Sequence, residues 1–212
     1  MSYVVEDINV TKALAYIKEL NESQSEVKVT LTHLLGHSIA TCLYKMRRDV
    51  GRITWGYFSH SKEIGTTTLV DVEGGADLVP VTLWDAHKLT VIEFAKQCTA
   101  KVMLAKNKKD ESHNRSTASA SFVPSFVLQP ALSILSYINV ALGIPIPQMG
   151  LKKNSMGHFI LTNIGTLGMQ QGFAPLCPPM RAMGLCCAGK VQKKPVVIDG
   201  EIVIQDMMCC TH

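Results

Sequence analysis

The stretch GKVQKKPVVIDGEIVIQDMM, residues 189–208, carries the most specific local signal for the fold of this chain. Two runs rich in β-branched residues flank the dipeptide Asp199-Gly200, a combination typical of a two-residue turn between antiparallel strands. The second run continues as EIVIQDMMCCTH and ends at His212. We therefore predict a β-hairpin whose second strand runs to the last residues of the sequence.

A second β signal precedes this hairpin in GHFILTNIGTLGMQQGFAPLCPP, residues 157–179. Phe159 to Thr162 are apolar or β-branched, which predicts a strand, and the glycines that follow predict a turn. Together with the hairpin, this segment makes the last third of the chain predominantly β.

The part of the chain before this region interleaves helix and strand patterns. Helical spacing of apolar residues occurs in VTKALAYIKEL (10–20), VKVTLTHLLGHSIATCLYKM (27–46) and from about Leu89 to Ala105, with Thr11 as the predicted N-cap of the first helix. Enrichment in β-branched and aromatic residues predicts strands in RITWGYF (52–58), IGTTTLVDV (64–72) and GGADLVPVTLWDA (74–86), with a turn at Gly74 and Gly75. Interleaved elements of both kinds predict a layered α/β fold, and we interpret residues 1–212 as one domain.

Two segments do not follow this alternation of helix and strand patterns. Residues from about 106 to 121, KNKKDESHNRSTASAS, are polar, small and charged, which predicts a flexible loop. Residues from about 124 to 147 predict an apolar helix that ends at Gly143 and the prolines after it. That helix is too short and interrupted to cross a bilayer, so packing on its own domain or on a neighbouring subunit is favoured over a membrane surface.

Composition excludes several classes of protein. The chain has 212 residues, 47% of them hydrophobic and 18% charged, which suits one globular core. A net charge of +4, without aromatic residues interleaved among the basic ones, argues against nucleic-acid binding. The first residues carry no targeting signal, and we expect an intracellular protein of the cytoplasm or the mitochondrial matrix.

Cysteine and histidine patterns do not indicate a metal site. The seven cysteines contain no Cys-x-x-Cys spacing and are interpreted as free thiols that fill a core. His33 and His37 lie one helical turn apart, but no third ligand suggests itself, so a helix-packing role is favoured over zinc. Cys186 and Cys187 lie in an apolar run, which does not suit a nucleophile.

The motifs quoted above closely resemble the catalytic domain of the acyltransferase components of 2-oxo acid dehydrogenase complexes. The matching motifs are the Asn-Ile-Gly turn after the strand, the Phe-Ala-Pro loop at residues 173–175, and Lys-Pro-Val-Val with Asp-Gly-Glu in the hairpin. The apolar segment at 124–147 is more similar to stand-alone members of that family, which lack lipoyl domains. The resemblance implies a two-layer α/β sandwich with a mixed β-sheet, the chloramphenicol acetyltransferase-like fold, with its C-terminal part missing here.

The resemblance also implies a function and a site. Such enzymes move an acyl group between coenzyme A and a thiol, commonly the dihydrolipoyl arm of a partner domain, and they form trimers that can build cubic or icosahedral cages. Thr162 falls on the position of the hydroxyl that stabilises the oxyanion, and Asn163 and Gly165 beside it are candidates for binding coenzyme A. No metal is implied.

The general base is the part of the family motif that this sequence lacks. The family's His-x-x-x-Asp-Gly motif does not occur among these 212 residues. By the resemblance, His212 corresponds to a strand residue upstream of that motif, and the general-base histidine and its aspartate are expected beyond His212.

Other readings of the sequence stay open. One alternative is a catalytically inactive structural core protein that forms trimers or a larger cage, and another is a module that only binds coenzyme A or an acyl carrier. The lysines of GKVQKKP could hold the 3′-phosphate of coenzyme A, although solvated turn residues are the favoured interpretation.

Overall fold

A computed structural model describes residues 2–54, 56–71, 78–104, 156–176 and 182–212, together with isolated positions between 130 and 144. The loop predicted at 106–121 and the turn at Gly74 and Gly75 lie outside the described residues. Within the apolar helix predicted at 124–147, positions 130, 133 and 134 are helical, and most of the segment lies outside the described residues.

The described chain alternates helices and strands. Its strands are β1 (Val5–Asn9), β2 (Gly51–Thr54), β3 (Tyr57–His60), β4 (Gly65–Asp71), β5 (Leu78–Trp84), β6 (Phe159–Asn163), β7 (Gly184–Ala188), β8 (Gln192–Ile198) and β9 (Glu201–Thr211). Its helices are α1 (Thr11–Ser23), α2 (Leu31–Lys45) and α3 (91–104), and short 3₁₀ turns cover Ala86–Lys88 and Ile164–Leu167.

A mixed seven-stranded sheet forms one layer of the molecule. Its strand order is β1-β9-β7-β6-β4-β5, and β8 pairs with the first half of β9. Strands β4, β6 and β7 run parallel, and the remaining pairs are antiparallel. The helices form the second layer on one face, so the predicted two-layer α/β sandwich with a mixed sheet is confirmed.

The core lies between the sheet and the helices. One cluster joins Leu161, Met208 and Cys210 of the sheet to apolar residues of α1 and α2. A second cluster joins Val81 and Leu83 of β5 to Ala40 of α2 and to Phe94 and Cys98 of α3. A Cβ on Gly36 would lie 2.8 Å from the Phe94 ring, which is why α2 carries glycine where α3 crosses it.

Several expectations about individual elements need correction. Thr11 is the first residue of α1 and not its N-cap; the cap position is Val10, and the Asn9 side chain accepts a hydrogen bond from the Thr11 amide. RITWGYF is not one strand, because Gly56, at a φ of 81°, reverses the chain between β2 and β3.

The cysteines and the helical histidines have packing roles. Five of the cysteines (Cys98, Cys186, Cys187, Cys209 and Cys210) are free and buried as predicted, whereas Cys42 is free but exposed. The His37 Nε2 contacts the Leu89 carbonyl at 2.8 Å, and His33 completes the capping box of α2 with Thr30. In the described part of the chain, no cluster of three potential metal ligands occurs and no helix is long and apolar enough to cross a membrane.

Candidate functional site

Thr162 lies near the C-terminal end of β6, in the middle of the sheet. Parallel pairing places it opposite Leu69 of β4 on one side and Cys187 of β7 on the other. Cys187 is in turn opposite Thr211 of β9. Thr162 is therefore one of a row of residues that crosses four strands, and it is 7% exposed.

The side chain of Thr162 belongs to the sheet face that points away from the helices. Leu161 packs with α1 and α2, and side chains alternate along a strand, so Thr162 projects to the opposite face. Within the described part of the chain, no group hydrogen bonds to the Thr162 hydroxyl. A hydroxyl that is nearly buried and has no partner can donate to a bound acceptor.

The same face carries Cys187 and Thr211 beside Thr162. The Thr211 hydroxyl donates to the Gly172 carbonyl, so the segment after the Asn163 turn passes over this end of the sheet. Burial raises the pKa of the Cys187 thiol, and hydrogen bonds to Thr211 and Ala174 offset this only in part. Because the thiol stays protonated, the expectation that Cys187 is no nucleophile agrees with its surroundings.

The turn after Thr162 is held by Asn163. The Asn163 Oδ1 accepts from the Gly165 amide at 2.9 Å, and its Nδ2 donates to the Thr32 hydroxyl of α2 at 2.7 Å. Gly165 packs so closely on the next strand connection that a Cβ there would lie 2.8 Å from the Gly189 and Lys190 backbone. Asn163 thus links the end of β6 to the start of α2, and Gly165 allows a close backbone approach.

A cavity of about 400 Å³ lies on the helix side of this turn. It is bounded by the start of α2, the end of β4, α3 and the Asn163 turn; its lining residues are Thr30, Leu31, Thr32, His33, Thr68, Leu69, Val70, Asp71, Cys98, Asn163 and Thr166. Burial lowers the pKa of His33 and raises the pKa of Cys98 to about 12, so both groups are uncharged near neutral pH. Asn163 lines this cavity, whereas Thr162 and Gly165 do not.

A second, more polar cleft of about 270 Å³ lies on the other face of the sheet. Lys190, Lys194 and three glutamines line it together with Asp7. The Lys194 ammonium pairs with the Asp7 carboxylate at 3.0 Å, which leaves Lys190 as the basic group of the cleft without that partner. Lys193 and Lys194 lie within β8, which begins at Gln192, whereas Lys190 precedes that strand. The interpretation of these lysines as turn residues is therefore wrong for Lys193 and Lys194.

His212 lies two strands away from Thr162, directly after β9. Its backbone exchanges hydrogen bonds with Val4, at 2.9 Å and 2.6 Å, and its side chain is exposed. This agrees with the expectation that His212 occupies an ordinary strand position. The structure does not bring it beside the Thr162 hydroxyl.

His158 is an organising residue that the sequence interpretation missed. It is 1% exposed, its Nδ1 accepts from the Gly65 amide at 3.1 Å, and its Nε2 lies 2.6 Å from the Ser61 hydroxyl. The backbone of His158 also bonds to Gly65, so this residue aligns the starts of β4 and β6. The sequence signal that could have predicted its burial is the position of His158 between Gly157 and an apolar strand, because a residue there is carried into the core with the strand.

Part of this chain matches a known protein family. Residues 148–212 match the family model of the 2-oxoacid dehydrogenase acyltransferase catalytic domain. No curated protein matches the chain significantly. The family-level resemblance seen in the sequence is therefore supported independently for its C-terminal part.

Solved structures show the fold over nearly the whole chain. A probable dihydrolipoamide acetyltransferase from Listeria monocytogenes is 12% identical, with a TM-score of 0.69, and the match covers 99% of this chain and 73% of that one. Dihydrolipoamide acetyltransferase from Azotobacter vinelandii is 14% identical, with a TM-score of 0.69 and coverage of 99% and 70%. A truncated catalytic core of the 2-oxoacid dehydrogenase complex from Thermoplasma acidophilum is 14% identical, with a TM-score of 0.58 and coverage of 99% and 75%.

Proposed function

We propose that this chain is an acyltransferase. Its residues 148–212 match the 2-oxoacid dehydrogenase acyltransferase catalytic domain, and its fold is that of dihydrolipoamide acetyltransferases. It moves an acyl group between coenzyme A and a thiol acceptor such as a dihydrolipoyl group. The observation that carries the proposal is the nearly buried, unpartnered hydroxyl of Thr162, which lies within the matched region.

Thr162 acts as the donor to the oxyanion in this proposal. When a thiolate attacks the thioester carbonyl, negative charge develops on the carbonyl oxygen, and a donor held in a site shielded from water stabilises it. The β6 backbone, paired on both sides, fixes the position of the hydroxyl. In support, the Azotobacter vinelandii structure concerns the roles of a serine, a histidine and an asparagine in its catalytic mechanism.

The attacking thiol also needs a base to accept its proton. The two histidines of α2 are engaged elsewhere: His33 caps the helix with Thr30, and the His37 Nε2 contacts the Leu89 carbonyl. We propose that the general-base histidine and its aspartate lie beyond His212, as the family resemblance implies.

Substitution of Thr162 tests the donor. Thr162→Val keeps the shape and removes the hydroxyl, and we expect kcat for acyl transfer from acetyl-CoA to dihydrolipoamide to fall by about 10²- to 10³-fold. Thr162→Ser should keep most of the rate. The matched control is Thr66→Val, another buried threonine, on β4 and on the opposite sheet face. An unchanged rate in Thr162→Val would remove Thr162 from the mechanism.

A comparison of two forms of the protein tests the base. Protein purified from its natural source is assayed beside a chain that ends at His212, with acetyl-CoA and longer acyl-CoAs as donors. Activity in the native protein alone supports a base beyond His212. Inactivity of both forms, with an intact assembly, would favour the structural-core alternative over catalysis.

The proposal extends to partners and assembly. A homotrimer, or a cage built from trimers, would place each site at a subunit contact, and a separate lipoyl-domain protein would deliver the acceptor. A relative of this fold is the cubic core of the pyruvate dehydrogenase complex, 14% identical with a TM-score of 0.68. Coenzyme A acts as a substrate here, and Asn163 and Gly165 are proposed to contact it.

A further inference from the structure

The β2–β3 hairpin (residues 51–60) is not explained by the proposed transfer at Thr162. In the described structure its two strands pair with each other and with no strand of the main sheet. Its base is fixed in the core, because Val50, directly before β2, is buried and its carbonyl accepts from the Ser61 amide at 3.0 Å. Beyond this base, neither strand packs broadly on another described element. The end that turns at Gly56 therefore projects from the rest of the fold.

The projecting end of the hairpin is apolar on both faces. Ile53, Tyr57 and Phe58 are 68%, 79% and 50% exposed. The register places Ile53 opposite Phe58 on one face, and Tyr57, the preceding residue of β3, projects to the other. A two-stranded hairpin is only marginally stable in water unless another surface packs on it. A partner on one face would leave apolar side chains of the other face in water, so the partner that fits must surround the end.

The chain just before and just after the hairpin, residues 45–50 and 61–64, carries more positive than negative charge. Four exposed basic residues lie there: Lys45, Arg47, Arg48 and Lys62. Among the described residues, none of the four takes part in an ion pair. The acidic residues of the same two segments are Asp49 and Glu63. The base of the hairpin is therefore surrounded by unpaired cations that outnumber the anions.

An apolar end above a basic base fits an anionic lipid surface. Apolar and aromatic side chains of peripheral proteins enter the boundary between headgroups and acyl chains by about 5–10 Å, while lysine and arginine attract anionic headgroups. The four residues of β2 extend roughly 10 Å at about 3.4 Å per residue, which leaves the basic residues at headgroup level. A stable protein interface needs about 20–30 residues on each side, far more than this end offers.

We propose that the end of the β2–β3 hairpin inserts into the surface of an anionic lipid membrane. Ile53, Tyr57 and Phe58 enter the boundary of the acyl chains, and the basic residues at the base contact the headgroups. The surface is separate from Thr162, and the proposal does not depend on acyl transfer.

Vesicle sedimentation tests the partner. The 212-residue chain is mixed with phosphatidylcholine vesicles, or with vesicles in which about one third of the lipid is phosphatidylserine. We expect at least tenfold tighter binding to the anionic vesicles, and weaker binding when the NaCl concentration is raised from about 0.1 M to about 0.5 M. Equal binding to both vesicles, or binding to neither, would overturn the proposal. Binding to soluble polyglutamate without binding to vesicles would assign the surface to an acidic protein instead.

Paired substitutions test the apolar end. Ile53→Ser combined with Phe58→Ser should weaken binding to the anionic vesicles at least tenfold, because two side chains no longer leave water. Met103→Ser combined with Leu104→Ser removes two exposed apolar side chains from α3 and should leave binding unchanged. Circular dichroism confirms that both variants fold. Equal effects of the two pairs would refute insertion at the hairpin.

A second pair tests the basic residues without touching the strands. Arg47→Gln combined with Arg48→Gln should weaken binding about 10- to 30-fold, the size expected for two cations at an anionic surface. The matched control is Lys12→Gln combined with Lys28→Gln, two exposed lysines away from the hairpin, which should change binding less than twofold. If the control pair weakens binding as much as the arginine pair, the charge effect is general and the proposed orientation is wrong.

Discussion

Thr66 and Thr67 are neighbours on β4 whose hydroxyls have opposite environments. The Thr66 hydroxyl is buried without a partner in the described structure, whereas the Thr67 hydroxyl bonds to the Thr82 hydroxyl and the Met156 carbonyl, each at 2.8 Å. Burying an unsatisfied hydroxyl is unfavourable by about 1–3 kcal/mol, so Thr66→Val should raise the free energy of unfolding by about 1 kcal/mol or more. Thr67→Val should lower it by a similar amount.

Urea unfolding measures both effects. We expect the midpoints of the two variants to move in opposite directions at an unchanged m-value. A loss of stability in Thr66→Val would mean that its hydroxyl has a partner in solution.

His33 links stability to pH. Burial lowers its pKa below the ordinary 6.5 of the unfolded chain, so near and below that value the unfolded state binds more protons than the folded state. The stability contributed by neutral His33 is full above pH 6.5 and is lost as the pH falls through 6.5 towards the lower folded pKa. His33→Gln retains a capping-box side chain at the third helical position, so it should keep α2 stable while removing this dependence.

Unfolding curves at pH 8 and pH 5.5 check this prediction. The difference in unfolding free energy between the two pH values should be smaller in His33→Gln than in the unmodified protein. His37→Gln serves as the comparison on the same helix. An unchanged difference in His33→Gln would mean that the histidine stays solvated in the folded state.

At the scale of elements, the turn of the β8–β9 hairpin depends on two residues with positive φ. Asp199 has φ 52° and Gly200 has φ 86°, and the pairing of Ile198 with Glu201 leaves these two alone in the loop. A side chain in this conformation is unfavourable by about 1–2 kcal/mol, so Gly200→Ala should destabilise the hairpin by that amount. Asp199→Asn should be nearly neutral, because asparagine suits the first position of such turns. Hydrogen exchange of the β8 amides would show the difference.

The same hairpin shows how far local sequence predicts structure. Asp199-Gly200 predicts the turn because the two residues that determine it are adjacent in the sequence. The prediction of one strand over RITWGYF was wrong because the turn at Gly56 divides the segment into two strands, although the residues on both sides have high β propensity. The second half of β9 pairs with β1 and β7, and those contacts depend on residues far apart in sequence.

The candidate site could also be predicted only in part, because some of its residues are far apart in the sequence. Thr162 was predicted through the resemblance, because β6 and its Asn163 turn form one continuous motif, and its role in the site stays a prediction. The cavity was not predicted, because Thr68, Cys98 and Asn163 meet only after three elements pack together. Their spacing along the chain carries no periodic pattern.

At the scale of the whole molecule, the proposed trimer needs a contact surface, and the outer part of the β8–β9 hairpin offers one. Val197, Ile202 and Ile204 share one face of the hairpin through their cross-strand register and are 70%, 77% and 72% exposed. An apolar patch of this kind typically marks a protein contact. In the proposed assembly, a second copy of the chain covers it.

Charge substitution on this face tests the assembly. Ile202→Lys combined with Ile204→Lys would place two unpaired ammonium groups in the contact, and we expect the mass in solution to fall from that of a trimer or cage to that of a monomer. Lys12→Glu, a charge change at an exposed position of α1, should leave the mass unchanged. Light scattering after size exclusion gives the mass, and the acyl-transfer assay on the same fractions links it to function. If each site needs two subunits, activity should disappear with the trimer; a monomer that keeps full activity would show that one chain completes the site alone.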